Sequence, residues 1–118
     1  MDQQKIFEKF AAATLKSVQN INDWKKALLH IERQEKSVGF KSSYINSLDE
    51  EIKIDTEVDY YTSKAVQELY KITTKHPLKH INWNKALFSL YPNNHFEIDY
   101  MWDQEFQDEI NRLNKEKP

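Results

Sequence analysis

Carboxylates are the side chains of this sequence that offer the most chemistry. Glu97, Asp99 and Asp103 are close enough along the chain to gather where a strand meets a helix. Together they could serve acid–base catalysis or hold a divalent cation, which prefers oxygen ligands. Against this, Asp103 stands where a helix N-cap is expected, and Glu97 and Asp99 alternate with apolar residues as on a solvated strand face. A small metal-dependent enzyme using these three residues stays open as an alternative function.

Other catalytic and metal-binding patterns are weaker. His76 and His80 have the spacing of a helical metal site, but Pro77 lies between them and breaks the helix that would align them. His30 falls within a predicted strand and is interpreted as a half-buried sheet residue. The chain has no cysteine, and its one glycine leaves no glycine-rich elbow for a serine nucleophile. We therefore expect no catalytic residue, no metal ligand and no cofactor.

The charges of the chain are unevenly distributed. Its 17 Lys and Arg and 19 Asp and Glu give a formal net charge of -2. The first acidic segment, residues 49–59, sums to -5, and the second acidic segment, residues 97–109, sums to -6. The remaining residues carry 16 bases and seven acids, or +9. Because Lys25 and Lys26 form the only adjacent basic pair, the sequence argues against a nucleic-acid partner.

Large rings accompany both acidic segments, in Asp59-Tyr60-Tyr61 and in Tyr100-Met101-Trp102-Asp103. Rings can anchor a partner, and carboxylates can steer a basic one. The alternative is that the rings belong to the core and that the acids cap helices and solvate faces. We predict a recognition surface made of two patches. The first comprises Asp49, Glu50, Glu51, Asp55, Glu57, Asp59 and Tyr60, and the second comprises Asp99, Trp102, Asp103 and Glu105.

Three helices are predicted from apolar stripes at helical spacing. The stripe of the first helix is Phe7, Phe10, Ala11, Thr14, Leu15 and Val18. The stripe of the second helix, with Thr56 as its expected N-cap, is Val58, Tyr61, Ala65, Leu69 and Ile72. The stripe of the last helix, with Asp103 as its N-cap, is Phe106, Ile110 and Leu113. If the second and last helices run parallel, the two acidic segments flank the same end of the fold.

Alternation of apolar and polar residues predicts the strands. They cover residues 27–31, 38–44, a short piece at 52–54, 81–91 and 96–100, with Gly39 at a bulge or close packing point. The order is α-β-β-(β)-α-β-β-α. Antiparallel hairpins alternating with single helices imply one α+β domain over residues 1–118, a sandwich of helices on a four- to five-stranded antiparallel sheet.

The last two predicted strands carry a family resemblance. Trp83-Asn84-Lys85-Ala86-Leu87-Phe88-Ser89-Leu90, a short polar turn, and Phe96-Glu97-Ile98-Asp99-Tyr100 resemble the YezG-like immunity proteins of bacterial polymorphic toxin systems. That family typically shows a Trp opening a strand, a tight turn, and an F-x-I-D/S-Y/F strand followed by acids. The similarity is best over residues 81–105, and the order of elements is similar elsewhere. The family's turn usually carries Gly where this chain has Asn93-Asn94.

The resemblance implies an immunity protein, or antitoxin, of the kind found in contact-dependent growth inhibition. Such a protein binds a cognate toxin domain, often a nuclease, as a heterodimer in the cytoplasm of the producing cell, and it supplies no catalytic residues. A nuclease has a positive cleft for phosphates, so an inhibitor benefits from carboxylates that imitate them. The N-terminal sequence MDQQKIFEKF lacks the apolar core of a signal peptide, and no stretch approaches a membrane span. We thus expect a cytoplasmic protein with no membrane partner; the other alternative is a self-associating adaptor domain.

Overall fold

The chain folds into helices and strands in the predicted order. The computed structural model of the protein describes residues 2–56, 58–75 and 82–116, and for residue 116 it describes the backbone only. Within them the elements are α1 (Gln3–Val18), β1 (Lys26–Arg33), β2 (Val38–Ile45), β3 (Glu51–Ile54), α2 (Tyr60–Thr74), β4 (Lys85–Leu90), β5 (Phe96–Met101) and α3 (Gln104–Glu116). The predicted α+β class is confirmed, and the short piece at residues 52–54 forms part of a true strand, β3.

The sheet has five strands in the order β3-β2-β1-β4-β5, and the neighbouring strands are antiparallel. Leu29 stands between Ser42 of β2 and Phe88 of β4, and Phe88 in turn pairs with Ile98 of β5. Since β3 and β5 both run parallel to β1, they end at the same end of the sheet. They lie at opposite edges, however, because three strands separate them.

Helices α1 and α2 cover one face of the sheet, which we call the covered face. Its core includes Leu29 of β1 and Phe88 of β4, together with Phe10 of α1 and Leu69 of α2. The Phe10 and Phe88 rings meet edge to face at 5.7 Å, and Phe88 stacks on Phe96 with centroids 5.3 Å apart. Such ring pairs add to the stability from buried area, so a small domain gains much of its core from few residues.

Trp83 connects α2 with the start of β4. Its buried indole Nε1–H donates to Thr73 Oγ1 at 2.8 Å, and that hydroxyl donates to the Leu69 carbonyl at 2.9 Å. The indole also contacts the rings of Tyr70 and Tyr100 at centroid distances of 5.6 and 5.3 Å. Trp83 was expected inside a strand, but β4 begins at Lys85.

The N-cap and buried stripe of α2 differ from the prediction. Asp59, not Thr56, caps the helix, since its Oδ1 accepts the Thr62 N–H at 2.9 Å. The Thr56 hydroxyl instead donates to Ser42 Oγ at 2.9 Å. Because the helix begins at Tyr60, its buried stripe contains Thr62 and Val66, and Tyr61 is 61% exposed. The prediction that Tyr61 faces the core is wrong.

Two local predictions near α1 and β2 also need correction. In α1 the buried stripe includes Ile6 and Ala13, which the prediction left out, and Leu15, which the prediction placed in the stripe, is exposed. Gly39 lies in regular register opposite Glu32, and the nearest atom to a Cβ placed there is 3.9 Å away. Gly39 therefore marks neither a bulge nor a close approach.

Helix α3 begins as predicted but does not pack along the sheet. Asp103 Oδ1 accepts the Phe106 N–H at 3.0 Å, which confirms Asp103 as the N-cap. Among the described elements, α3 has no extensive interface with a helix or strand: Lys85 Nζ of β4 lies 5.0 Å from the centroid of the Phe106 ring near its start, and Leu113 of its apolar stripe remains 43% exposed. The radius of gyration is accordingly 15.1 Å, compared with roughly 13.5 Å for a compact chain of this length. No helix in the described part of the chain is long and apolar enough to cross a membrane.

Candidate functional site

The face of the sheet opposite α1 and α2 is uncovered, and we call it the open face. Side chains alternate between faces along each strand, so the register assigns every strand residue to one face. The open face carries Lys26, Leu28, His30, Glu32, Gly39, Lys41, Ser43, Ile45, Glu51, Lys53, Lys85, Leu87, Ser89, Glu97, Asp99 and Met101. Lysines and carboxylates are interspersed with a few apolar side chains. Leu28, Ser43 and Ser89 are buried in the middle of the face, so only the longer side chains reach the solvent.

A wide, shallow cavity of about 620 Å³ follows this face from β3 to β5. It is lined by Glu51 and Asp55 at the β3 edge, by His30 and Lys41 in the middle, and by Met101 on β5. The cavity thus reaches both edges of the sheet. The cavity is open to solvent along the face and does not enclose a buried chamber.

Ser43, His30 and Glu51 form a polar cluster in this cavity. The Ser43 hydroxyl donates to Glu51 Oε2 at 3.1 Å, and His30 Nε2 faces both Ser43 Oγ, at 3.3 Å, and Glu51 Oε2, at 3.8 Å. A hydrolytic triad needs the serine proton directed to one histidine nitrogen and the carboxylate on the other. Here one nitrogen faces both groups, so the cluster orders the surface and does not activate Ser43.

Asn84 and Lys85 hold the junction between β5 and α3. The Asn84 amide donates to the Asp103 carbonyl and accepts the Asp103 N–H, both at 2.8 Å. Lys85 Nζ lies 2.8 Å from Asp103 Oδ2, and this hydrogen bond, with those from backbone N–H groups, lowers the pKa of the Asp103 carboxyl. The sequence analysis did not identify either residue as part of this junction. The signal that could have identified them is the polar pair Asn84-Lys85 directly before an apolar run of strand residues.

In the first predicted patch, most acids have partners within the chain. Asp49, in a left-handed turn with φ 62°, pairs with Lys25. Glu50 accepts a hydrogen bond from the Asn46 amide at 3.1 Å. Together with the Glu51 cluster, these contacts hold the β2–β3 turn. The acids of this turn therefore stabilise the fold, as the alternative interpretation of the acidic segments predicted for acids.

The other members of the first patch are more varied. Asp59 is the N-cap of α2, and the hydrogen bonds from the Thr62 N–H and hydroxyl lower the pKa of its carboxyl. Tyr60 is 74% exposed, and Asp55 lines the cavity without an ion pair or hydrogen bond to another described residue. Glu57 lies outside the described residues.

The second predicted patch is on the opposite edge. Asp99 lies on the open face in register with Leu87, and neither Asp99 nor Glu105 pairs with any side chain the structure describes. Trp102 is 44% exposed, with its indole N–H donating to Gln104 Oε1 at 2.9 Å.

Asp55, at the end of β3, and the second patch lie toward the same end of the sheet, whereas Asp49, Glu50 and Glu51 lie toward the other end, in the β2–β3 turn and at the start of β3. Four strand spacings, roughly 19 Å, separate the two edges, so the patches do not merge.

The carboxylates considered for metal binding are not gathered. Glu97 is paired with His95 at 3.5 Å, and Asp103 is held by Lys85. Within the described parts of the chain, no group of three or more His, Asp or Glu side chains is placed to hold a metal ion. His76 and His80 lie outside the described residues.

No protein-family model matches the chain, and no curated protein matches its sequence.

Proposed function

We propose that this protein is an immunity protein that neutralises a cognate bacterial toxin domain, a basic nuclease domain being the best fit, by binding it on the open face. The observation that carries the proposal is the uncovered face itself, with acidic segments on both flanks of its cavity. A blocking protein needs a stable core and a free surface. This fold offers both, because its helices pack on the other side of the sheet.

Charge pairing within the chain neutralises two lysines of this surface and leaves three carboxylates on or beside it without an ion pair. Lys41 is neutralised by Glu32 at 3.3 Å and Lys85 by Asp103 at 2.8 Å. Asp55, Asp99 and Glu105 have no ion pair among the described residues, and Lys26 and Lys53 are the lysines of the face that have none either. The three unpaired carboxylates favour a basic partner, because they speed its association and pair with its cations once bound.

Exposed apolar side chains near the second patch supply anchor area. Trp102 and Met101 are each 44% exposed at the end of β5. Interfaces draw much of their binding energy from a few such side chains surrounded by polar groups. The resemblance to YezG-like immunity proteins supports the same conclusion, since the segment that carries it forms β4 and β5 beside this cavity.

Self-association is the second candidate function, and the exposed stripe of α3 favours it. Phe106 and Ile110 are half-buried and Leu113 is 43% exposed on a helix that has no extensive interface with another described element. Sedimentation of the purified protein separates the two candidates, since an adaptor of this kind forms a dimer in the absence of any partner and an immunity protein does not need to.

Co-expression with the toxin domain that we expect to be encoded immediately upstream tests the proposal. We expect the protein to restore growth and to co-purify with the toxin domain as a stoichiometric complex. A matched control uses the Phe88→Ala variant, which removes one buried ring of the core without changing the open face and should protect only as far as it remains folded. Toxicity that persists beside folded wild-type protein, with no complex recovered, would contradict the proposal.

A further inference from the structure

Strand β5 presents an unpaired edge. Its one strand neighbour in the described sheet is β4, and its six residues, Phe96–Met101, include neither proline nor glycine. The opposite edge strand, β3, has four residues, with Lys53 among them. Short strands and edge lysines are the usual means by which proteins prevent strand pairing. The β5 edge lacks both protections. Helix α3, which follows β5 in the chain, has no extensive contact with this strand.

The register shows which backbone groups point outward from β5. Just before the strand, the Tyr91 N–H donates to the His95 carbonyl at 2.8 Å. Hydrogen-bonded and non-hydrogen-bonded pairs alternate in an antiparallel ladder, so Glu97 and Asp99 continue the bonded pairs with β4. Phe96, Ile98 and Tyr100 consequently direct their N–H and C=O groups to the outer edge. No described strand receives them.

The side chains of β5 decide what kind of strand fits this edge. Glu97 and Asp99 are exposed on the open face. A second copy of β5 pairing antiparallel would place carboxylates against carboxylates, and like charges opposite each other destabilise a strand pair. Lysine or arginine at the same positions would instead form cross-strand ion pairs. The half-buried Phe96, Ile98 and Tyr100 on the covered face suit apolar residues at the alternate positions.

We propose that β5 binds an extended segment of a partner protein, in which basic and apolar residues alternate, as a sixth strand of the sheet. This inference rests on the proposed function, since it names the way in which the toxin domain would be held. Backbone hydrogen bonds from three outward residues provide affinity, and the two carboxylates select a basic strand over an acidic strand or another copy of this chain.

Amide hydrogen exchange followed by NMR tests strand addition directly. The probe is a synthetic peptide in which lysine and valine alternate, long enough to span β5. With the peptide in excess, we expect exchange at Phe96, Ile98 and Tyr100 to slow by at least about tenfold, while Glu97 and Asp99, already bonded to β4, change little. A peptide of the same composition with its lysines at one end is the control for charge alone, and a glutamate–valine peptide is the control for strand shape alone.

A pair of double variants tests the charge selection. Glu97→Lys with Asp99→Lys should abolish the protection, whereas Glu8→Lys with Glu35→Lys makes the same change of charge at exposed sites on α1 and in the β1–β2 turn and should preserve it. The inference fails if the lysine–valine peptide leaves the three outward amides unprotected, or if the control peptides protect them equally.

The outcomes also separate this inference from the proposed function. If the upstream toxin domain is neutralised while the three outward amides exchange at their free rates, strand addition is wrong and the immunity function stands. If the alternating peptide protects these amides but the toxin is not neutralised, strand addition stands and the immunity function is wrong.

Discussion

The two faces of the sheet alternate along the same strands but differ in what covers them. On β5, Ile98 and Tyr100 turn toward the helices, while Glu97 and Asp99 turn to solvent. On the covered face, rings pack against one another at centroid distances of 5.3 to 5.7 Å. On the open face, Ser43, His30 and Glu51 form polar contacts across strands. The covered face therefore accounts for stability, and the open face is free to serve a partner.

The two acidic segments are alike in how their carboxylates are used. In the first, Asp49, Glu51 and Asp59 have partners that hold a turn, a strand edge and a helix start, and Asp55 has none among the described residues. In the second, Glu97, Asp103 and Glu109 have partners, and Asp99 and Glu105 have no side-chain partner within the described residues. Each segment therefore contributes only a minority of its carboxylates to a surface that another molecule could use.

The largest expected effect is on the covered face. Phe88→Ala removes a fully buried ring that contacts Phe10 and Phe96, so the free energy of unfolding should fall by about 3–5 kcal/mol. Urea denaturation followed by circular dichroism measures the loss. Leu87→Ala, its neighbour on the open face, is the matched control and should cost about 1 kcal/mol. Equal losses for the two variants would contradict the difference between the faces.

A smaller effect is expected on binding at the β3 flank of the open face. Asp55→Lys reverses a cavity carboxylate that has no partner among the described residues, so association with the proposed toxin partner should slow by about tenfold and depend less on salt. Surface plasmon resonance at several salt concentrations measures both quantities. Glu35→Lys, in the β1–β2 turn away from this flank, is the control. An unchanged association rate for Asp55→Lys would confine the interface to the β5 side.

Acid pH should weaken the fold through two of its helix caps, Asp59 of α2 and Asp103 of α3. Hydrogen bonds lower the pKa of Asp59 and Asp103 below the ordinary 3.8. As the pH falls, these two carboxyl groups are therefore protonated in the unfolded chain before they are protonated in the folded one. Their contribution to stability is complete at neutral pH and is lost as the pH falls through the lowered pKa values. Asp59→Asn keeps a capping oxygen that does not titrate. We expect its urea midpoint to fall less than that of the wild type on acidification; parallel curves would refute the linkage.

The smallest effect concerns Tyr100 on the covered face. Its hydroxyl is buried without a hydrogen-bond partner in the described structure, and burial raises its pKa from 10.0 to about 12. The unfolded tyrosine ionises first, so this contribution to stability is complete below pH 10 and is lost as the pH rises toward about 12. Tyr100→Phe should be at least as stable as the wild type at neutral pH and less sensitive to alkali. A loss of stability at neutral pH would indicate that the hydroxyl has a partner.

The fold was more predictable from the sequence than the site. Strict alternation at Phe96, Glu97, Ile98 and Asp99 predicted the two faces of β5 correctly, because side-chain direction in a strand depends only on the local backbone. The α2 prediction failed at its start, since Thr56 and Asp59 are both good capping residues. The sheet decided between them, because Ser42 on β2 binds the Thr56 hydroxyl.

The candidate site depended on contacts that no local pattern contains. Lys25 pairs with Asp49, which lies 24 residues further along the chain. Lys85 pairs with Asp103, and the β4–β5 hairpin separates these two residues in the sequence. Such contacts decide which acids are neutralised and which remain available. The acid-rich composition of both segments was visible in the sequence, but the use of each carboxylate was not.

The sequence by itself determined the α+β class, the order of elements, the residues that line each face of β5, and Asp103 as a helix cap, because periodicity and capping act over a few neighbouring residues. The tertiary structure alone decided that β3 and β5 form opposite edges, that α3 leaves the sheet, and that one cavity lies between the two acidic segments. Those features depend on which distant strands pair and on what then covers each face.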